Sequence, residues 1–121
     1  MPTILVVDDD RDTCRNMADL LADLGYAIDT AESGDMVLEK ARQQPYDLGL
    51  LDLRMQGMNG LTLCRDLKRL QPFMVAMIVT AYVGSGLDDE ARAAGARHVV
   101  PKPIEFPSLL ALVEEGLAQL N

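Results

Sequence analysis

Three short apolar runs, Ile4–Val7, Leu48–Leu51 and Val75–Val79, constrain this chain more than any other feature. Each is continuous rather than alternating, which is the pattern of a strand buried on both faces of a parallel sheet. Each also runs straight into a polar residue, Asp8, Asp52 or Thr80. Two weaker runs, Tyr26–Ala31 and His98–Val100, complete a set of five. Pro101 follows the last of them and lacks the donor needed to extend the ladder.

The stretches between the runs read as helices. Cys14, Met17, Ala18, Leu21 and Leu24 recur at helical spacing, with Asp10 or Asp12 as N-cap and Gly25 as a C′ residue. Ser33 caps a second helix that carries Met36, Val37 and Ala41 and stops before Pro45. A third begins near Leu61, turns Leu61, Cys64, Leu67 and Leu70 inward, and ends before Pro72. After a loop at Gly84-Ser85-Gly86, a short helix carries Leu87, Ala91 and Ala94 and closes at Gly95. Leu109, Leu112, Val113, Gly116, Leu117 and Leu120 form the last.

Five β-α units in succession, with ordinary connections, imply an α/β fold: a parallel sheet covered by helices on both faces. Right-handed crossovers favour a doubly wound sheet of order 2-1-3-4-5, with residues 1–121 as one domain.

In such a sheet the carboxyl ends of four strands share one rim, which collects Asp8, Asp9, Asp52, Thr80 and Lys102. Two unit charges ~4 Å apart interact by about 4 kcal/mol at an effective dielectric near 20. Three clustered acids therefore repel unless offset, and Lys102 can neutralise one. Oxygen donors alone suit Mg²⁺, with Mn²⁺ as the other candidate. A carboxylate beside such a cation, with an ammonium and a hydroxyl for outer oxygens, is a phosphoryl-acceptor arrangement in which Asp52 is the nucleophile. Singly, each of these residues has a plainer reading: a cap for Asp52, a core hydroxyl for Thr80, a surface charge for Lys102. Their convergence on one rim favours the functional one. Asp10 is read as a cap and His98 as a strand-edge residue.

Composition excludes several classes. A net charge of −8 argues against non-specific nucleic-acid binding. No apolar run reaches the roughly 18 residues of a membrane span, and an apolar strand begins within three residues of the amino terminus. A soluble, cytoplasmic protein is expected. Three acids stand after the first strand in place of a glycine-rich phosphate loop, so no nucleotide cofactor is expected. Cys14 and Cys64 lack metal-type spacing and read as buried free thiols.

Val6-Val7-Asp8-Asp9, the run Tyr46 to Asp52, Met55-Gln56-Gly57-Met58-Asn59-Gly60, Ile78-Val79-Thr80-Ala81 and Lys102-Pro103 together resemble the receiver domain of two-component response regulators, and are similar to the chemotaxis-type single-domain regulators. The resemblance spans essentially the whole chain. It implies a flavodoxin-like fold with five helices and phosphorylation of Asp52 by a histidine kinase or histidine phosphotransfer protein. It further implies Mg²⁺ held by Asp8, Asp9, Asp52 and the backbone carbonyl of Arg54. Thr80 would meet the phosphoryl oxygen and Lys102 the phosphate. The Lys102–Pro103 bond is expected to be cis. Outputs or a second copy would meet the face made by helix four, strand five and helix five.

Three positions depart from the family pattern. Gln56 replaces a usual proline, Val99 stands where an aromatic swings inward on activation, and Pro101 adjoins the lysine. The resemblance also places side chains two residues beyond the phosphoacceptor and the threonine along the path of hydrolytic water, so the bulk of Arg54 and Tyr82 is expected to affect autodephosphorylation. The alternative is a phosphorylation-independent pseudo-receiver that serves as a docking module. A hydrolase acting on external substrates would need a second acid where Arg54 stands and an insertion to form a cap. Whether the chain is a stand-alone regulator or part of a larger protein stays open here.

Overall fold

A computed structural model describes residues 1–55, 57–82, 84 and 86–118. Five strands, β1 (Thr3–Val7), β2 (Ala27–Ala31), β3 (Leu48–Asp52), β4 (Val75–Thr80) and β5 (Ala96–Pro101), form one parallel sheet in the order β2-β1-β3-β4-β5. The expected doubly wound order is therefore present. Helices α1 (Arg11–Ala22), α2 (Gly34–Gln43), α3 (Gly60–Leu70), α4 (Leu87–Ala93) and α5 (Phe106–Ala118) fill the connections. The sequence readings at Gln56, Ser85 and Leu120 lie outside the described residues.

Strand alternation sorts the core into two layers. Ile4, Val6, Leu48, Leu50, Met77 and Val79 face α1 and α5, where Cys14, Met17, Leu21, Leu109 and Val113 meet them. Leu5, Val7, Leu51, Ala76 and Ile78 face the opposite way, onto Val37, Leu63, Cys64, Leu67 and Ala91 of α2, α3 and α4. The central strand β3 is buried along its whole length, which is why its sequence is apolar without alternation. Both cysteines are free and buried.

The caps follow local chemistry. Asp10 accepts from the backbone N–H groups of Asp12 and Thr13, and Ser33 accepts from that of Met36. Four details differ from the sequence expectations. Leu24 and Leu70 are exposed because their helices end within a residue or two of them, and Leu63 takes the inward place on α3. Met36 is exposed in the first turn of α2. The cap of α1 is Asp23, so Gly25, with φ +96°, is C″ rather than C′. Lastly, β5 continues through Pro101, and the Lys102 N–H donates to the Thr80 carbonyl at 2.8 Å. On an edge strand the proline nitrogen faces away from β4, so the ladder passes it without loss.

Past β3 the chain makes a short antiparallel ribbon, Arg54–Met55 with Met58–Asn59. It returns so tightly that Gly60 N–H donates to the Leu53 carbonyl at 2.7 Å. A Cβ on Gly60 would stand 2.8 Å from Leu53 Cα and closer still to the Asp52 carbonyl oxygen. Backbone cannot yield as a flexible side chain can, so this glycine fixes the exit path of the strand that carries Asp52.

At the opposite end of the sheet Asp29 gathers Lys40 Nζ at 2.7 Å, Tyr46 Oη at 2.6 Å and Gln44 Nε2 at 2.9 Å. Gln71 extends the tie by accepting from Tyr46 N–H and donating to the Ala41 and Gln44 carbonyls. Burial and then the adjoining Asp29 carboxylate push the Tyr46 phenol up to about 12. Burial would raise Asp29 as well, but the hydrogen bonds from Lys40 and Tyr46 outweigh it and hold the acid below its ordinary value.

Three outcomes are expected. Gly60→Ala should cost about 1–3 kcal/mol of stability by urea denaturation, the range for a forced steric intrusion. Gly25→Ala, where a Cβ has open space but φ is positive, should cost less. Because the Asp29 acid is depressed in the fold, its contribution is present above its unfolded value and is lost as pH falls through the folded one. Asp29→Asn should therefore be less stable than wild type at pH 7, and the gap should narrow on acidification; a gap independent of pH would contradict the assignment.

Candidate functional site

The register of the sheet brings the site together. Val7 pairs with Leu51, Asp52 with Val79 and Thr80 with Pro101. Asp8, Asp52, Thr80 and Lys102 therefore sit at neighbouring strand ends although 94 residues separate the first from the last. Carboxylate oxygens of Asp8, Asp9 and Asp52 all lie within 4.8 Å of one another. Asp8 and Asp52 are buried while Asp9 is exposed toward solvent.

Lys102 Nζ spans two of the acids, donating to Asp8 Oδ2 at 3.1 Å and to Asp52 Oδ1 at 3.4 Å. Sequence reasoning supplied this ammonium as a counter-charge for one acid; the structure shares it, with Asp8 the nearer partner. Asp8 Oδ1 accepts from the Asp10 N–H at 3.0 Å, and the Asp52 carboxylate has a backbone hydrogen bond from Arg54. Burial, and then the Asp8 charge beside it, push the Asp52 acid above its ordinary value against the pull of Lys102. Burial acts to lower Lys102, but its hydrogen bond to Asp8 and the charges of both acids override it and raise the ammonium.

Thr80 is buried at the end of β4, and its Oγ1 accepts from the Tyr82 N–H at 2.9 Å. That leaves the hydroxyl proton free to be donated to an incoming oxygen. The expected cis bond at Lys102–Pro103 is present. Arg54 is exposed on the short ribbon, and its guanidinium lies over the Tyr82 ring with Cζ 4.6 Å from the centroid. Sequence reasoning singled out both residues but not their contact, because they belong to different loops and no local pattern pairs them.

His98 is tied to Glu115 of α5, as is Arg97, and the hydrogen bonds from Arg97 and then His98 hold Glu115 down at about 2. His98 thus serves the β5–α5 seam and stands apart from the acid cluster. Asp10 is the α1 cap.

The donor set is oxygen throughout: two buried carboxylates and one exposed one, converging within a few ångströms. Such a set fits a small hard cation that retains water or phosphate oxygens in its other positions. Among the described residues no helix is long and apolar enough to cross a membrane.

Residues 4–114 match the protein family described as the response regulator receiver domain. The transcriptional regulatory protein ZraR of Escherichia coli strain K12 is 40% identical over 118 residues, which are 98% of this chain and 27% of that protein. The chain thus spans about a quarter of that relative. Among solved structures, the response regulator protein TrrA from Thermotoga maritima, in complex with Mg²⁺ and BeF, is 33% identical with a TM-score of 0.86, covering 96% of this chain and 99% of that one. A response regulator protein from Burkholderia pseudomallei with a phosphorylated aspartic acid, calcium ion and citrate is 27% identical with a TM-score of 0.89, covering 99% and 71%.

The electrostatics give two substitutions of opposite sign. In metal-free buffer Asp52→Asn removes a repelling buried charge and should raise stability by about 1 kcal/mol, as commonly seen when a strained functional group is neutralised. Lys102→Met strands two buried acids and should lower it by about 1–3 kcal/mol. Urea midpoints measured side by side check both, and equal shifts in one direction would refute the charge balance.

Proposed function

The chain belongs to the receiver domains of response regulators, and from that premise we propose that residues 1–121 act as one receiver unit in which Asp52 accepts a phosphoryl group from a histidine kinase or histidine phosphotransfer protein. The observation that carries this reading is the Lys102 ammonium held between Asp8 and Asp52, at the rim where Thr80 presents its hydroxyl.

A carboxylate oxygen of Asp52 attacks the phosphorus of a phosphohistidine. The O–P bond forms as the N–P bond breaks, and the imidazole leaves with its electron pair. Asp52 must be ionised to attack, which the adjacent ammonium favours against burial. As charge on Asp52 passes to the phosphoryl oxygens, Lys102 can follow it, since its Nζ already lies within reach of that carboxylate. The Thr80 hydroxyl donates its proton in a hydrogen bond to another phosphoryl oxygen. Asp8, Asp9, Asp52 and the Arg54 carbonyl would hold a divalent cation, with Mg²⁺ the best fit and Mn²⁺ an alternative. When bound, that ion offsets charge on the transferring group.

The product is an acyl phosphate on the chain itself, so this is a self-modifying switch with no external substrate. A cytoplasmic setting suits a domain that exchanges phosphoryl groups with a kinase. The output partner, or a second copy of the chain, would read the α4–β5–α5 face, where Arg97, His98 and Glu115 join β5 to α5. The acidic pocket counts against a phosphorylation-independent docking module, since nothing in docking calls for three converging acids and a shared lysine.

Incubation with Mg²⁺ and acetyl phosphate, followed by intact mass, should show one added phosphoryl group on wild type and none on Asp52→Asn. Omitting the metal should suppress the gain at least tenfold. No added mass on wild type, with Asp52→Asn behaving identically, would favour the docking module. Arg54→Ala and Tyr82→Ala should each change the phosphoryl lifetime several-fold, and unchanged lifetimes would sink a role for these residues in dephosphorylation.

A further inference from the structure

We propose that Tyr82 is a phosphoryl-responsive element: its ring leaves Arg54 and turns into the cavity between α4 and β5 when Asp52 carries a phosphoryl group. This rests on the phosphoacceptor reading above.

Two observations place the ring between alternatives. On one side lies Arg54, whose guanidinium covers the ring face 4.6 Å from its centroid. On the other is an open cavity of about 220 Å³ lined by Thr80, Gly84, Leu87, Asp88, Val99 and Pro101, with Tyr82 itself at its edge. An apolar cavity of about 150 Å³ is enough for a benzene molecule, so a phenol ring can enter. Tyr82 is 49% exposed in its present position, and entry would bury apolar ring surface now in water.

Two links tie this choice to Asp52. Tyr82 N–H donates to Thr80 Oγ1, so any turn of the Thr80 hydroxyl toward a phosphoryl oxygen moves the backbone that carries the ring. Arg54 stands two residues beyond Asp52, at the start of the ribbon. A phosphoryl group adds close to two negative charges there. Charge-assisted hydrogen bonds from a guanidinium to phosphate are stronger than an exposed cation–π contact, so the phosphoryl group outcompetes the ring for Arg54. Released on one face and drawn at its backbone, the ring turns into this cavity rather than the one it borders on its other side, which Arg54, Asn59 and Glu90 make the more polar. Filling it changes the packing of Leu87 on α4 against Val99 on β5, and so the surface those elements present. No covalent step is involved; the phosphoryl group stays on Asp52 throughout.

The test uses the full chain labelled with 3-fluorotyrosine. The three tyrosine resonances are assigned with Tyr82→Phe, and the fluorine shift between H₂O and D₂O reports ring exposure. Intact mass on the same samples reports phosphorylation by acetyl phosphate with Mg²⁺. Phosphorylated wild type should lose at least half of the Tyr82 solvent shift. Val99→Phe, which fills the cavity, should gain the phosphoryl mass yet keep that shift. Arg54→Ala should lose part of it with no phosphodonor present. A phosphorylated wild type with Tyr82 still fully solvent-sensitive overturns the proposal, as does a Val99→Phe protein in which the loss persists. If no phosphoryl mass appears, the phosphoacceptor reading fails on its own account, and the Arg54→Ala arm decides this one: an unmoved ring overturns it.

Discussion

Lys102 holds together two carboxylates that repel each other, and much of the architecture exists to make that contact. Asp8 and Asp52 end adjacent parallel strands, and the lysine follows an edge strand two places away across the sheet. An ammonium about a quarter exposed, facing acids under a tenth exposed, interacts at a dielectric well below that of water. The attraction offsets the desolvation of the acids without cancelling it, which is why Asp52 still sits above its ordinary value. A site in that balance is receptive to further positive charge, and a divalent cation is the form that three oxygen donors favour.

The same balance sets stability against function. Burying Asp52 beside Asp8 costs the fold something that better-packed apolar residues would not, and the cost has to be covered elsewhere. The two core layers cover it. Each strand of the sheet interior contributes side chains to both faces, and the helices close over them with Leu, Val and Met. At the far end of the sheet the Asp29–Tyr46–Gln71 tie fixes the loops that lead into β3, so the strand carrying Asp52 is anchored before it and after it. The anchor after it is Gly60, whose missing side chain lets the ribbon fold back against the Asp52 carbonyl.

Tyr82, just past β4, and Val99, on β5, both border a space beside the acid rim. The pocket geometry depends on strand ends. The neighbouring space between α4 and β5 depends on which side chains fill it, and here Val99 leaves room that Thr80, Leu87 and Pro101 only partly enclose. Arg54, just past Asp52, and the space between α4 and β5 thus meet at one aromatic ring, that of Tyr82.

The sequence by itself determined the strands, their parallel arrangement and the chemistry of the rim. Those features rest on local rules: continuous apolar runs mark doubly buried strands, caps such as Asp10 and Ser33 mark helix starts, and right-handed crossovers leave few topologies. Once the order is fixed, the residues at the strand ends are neighbours by necessity. Local periodicity misjudged Leu24, Leu70 and Met36, because it has no knowledge of where a helix leaves the core. It also stopped β5 short of Pro101, because only the assembled sheet shows which way the proline nitrogen faces. Tertiary structure alone decided that Lys102 is shared between two acids, that Arg54 covers Tyr82, and that Gln71 ties the α3–β4 connection to the end of α2 and the loop after it. Each of these is a distance between segments far apart in the chain, and such distances are set by packing the whole sheet at once rather than by any spacing a single segment carries.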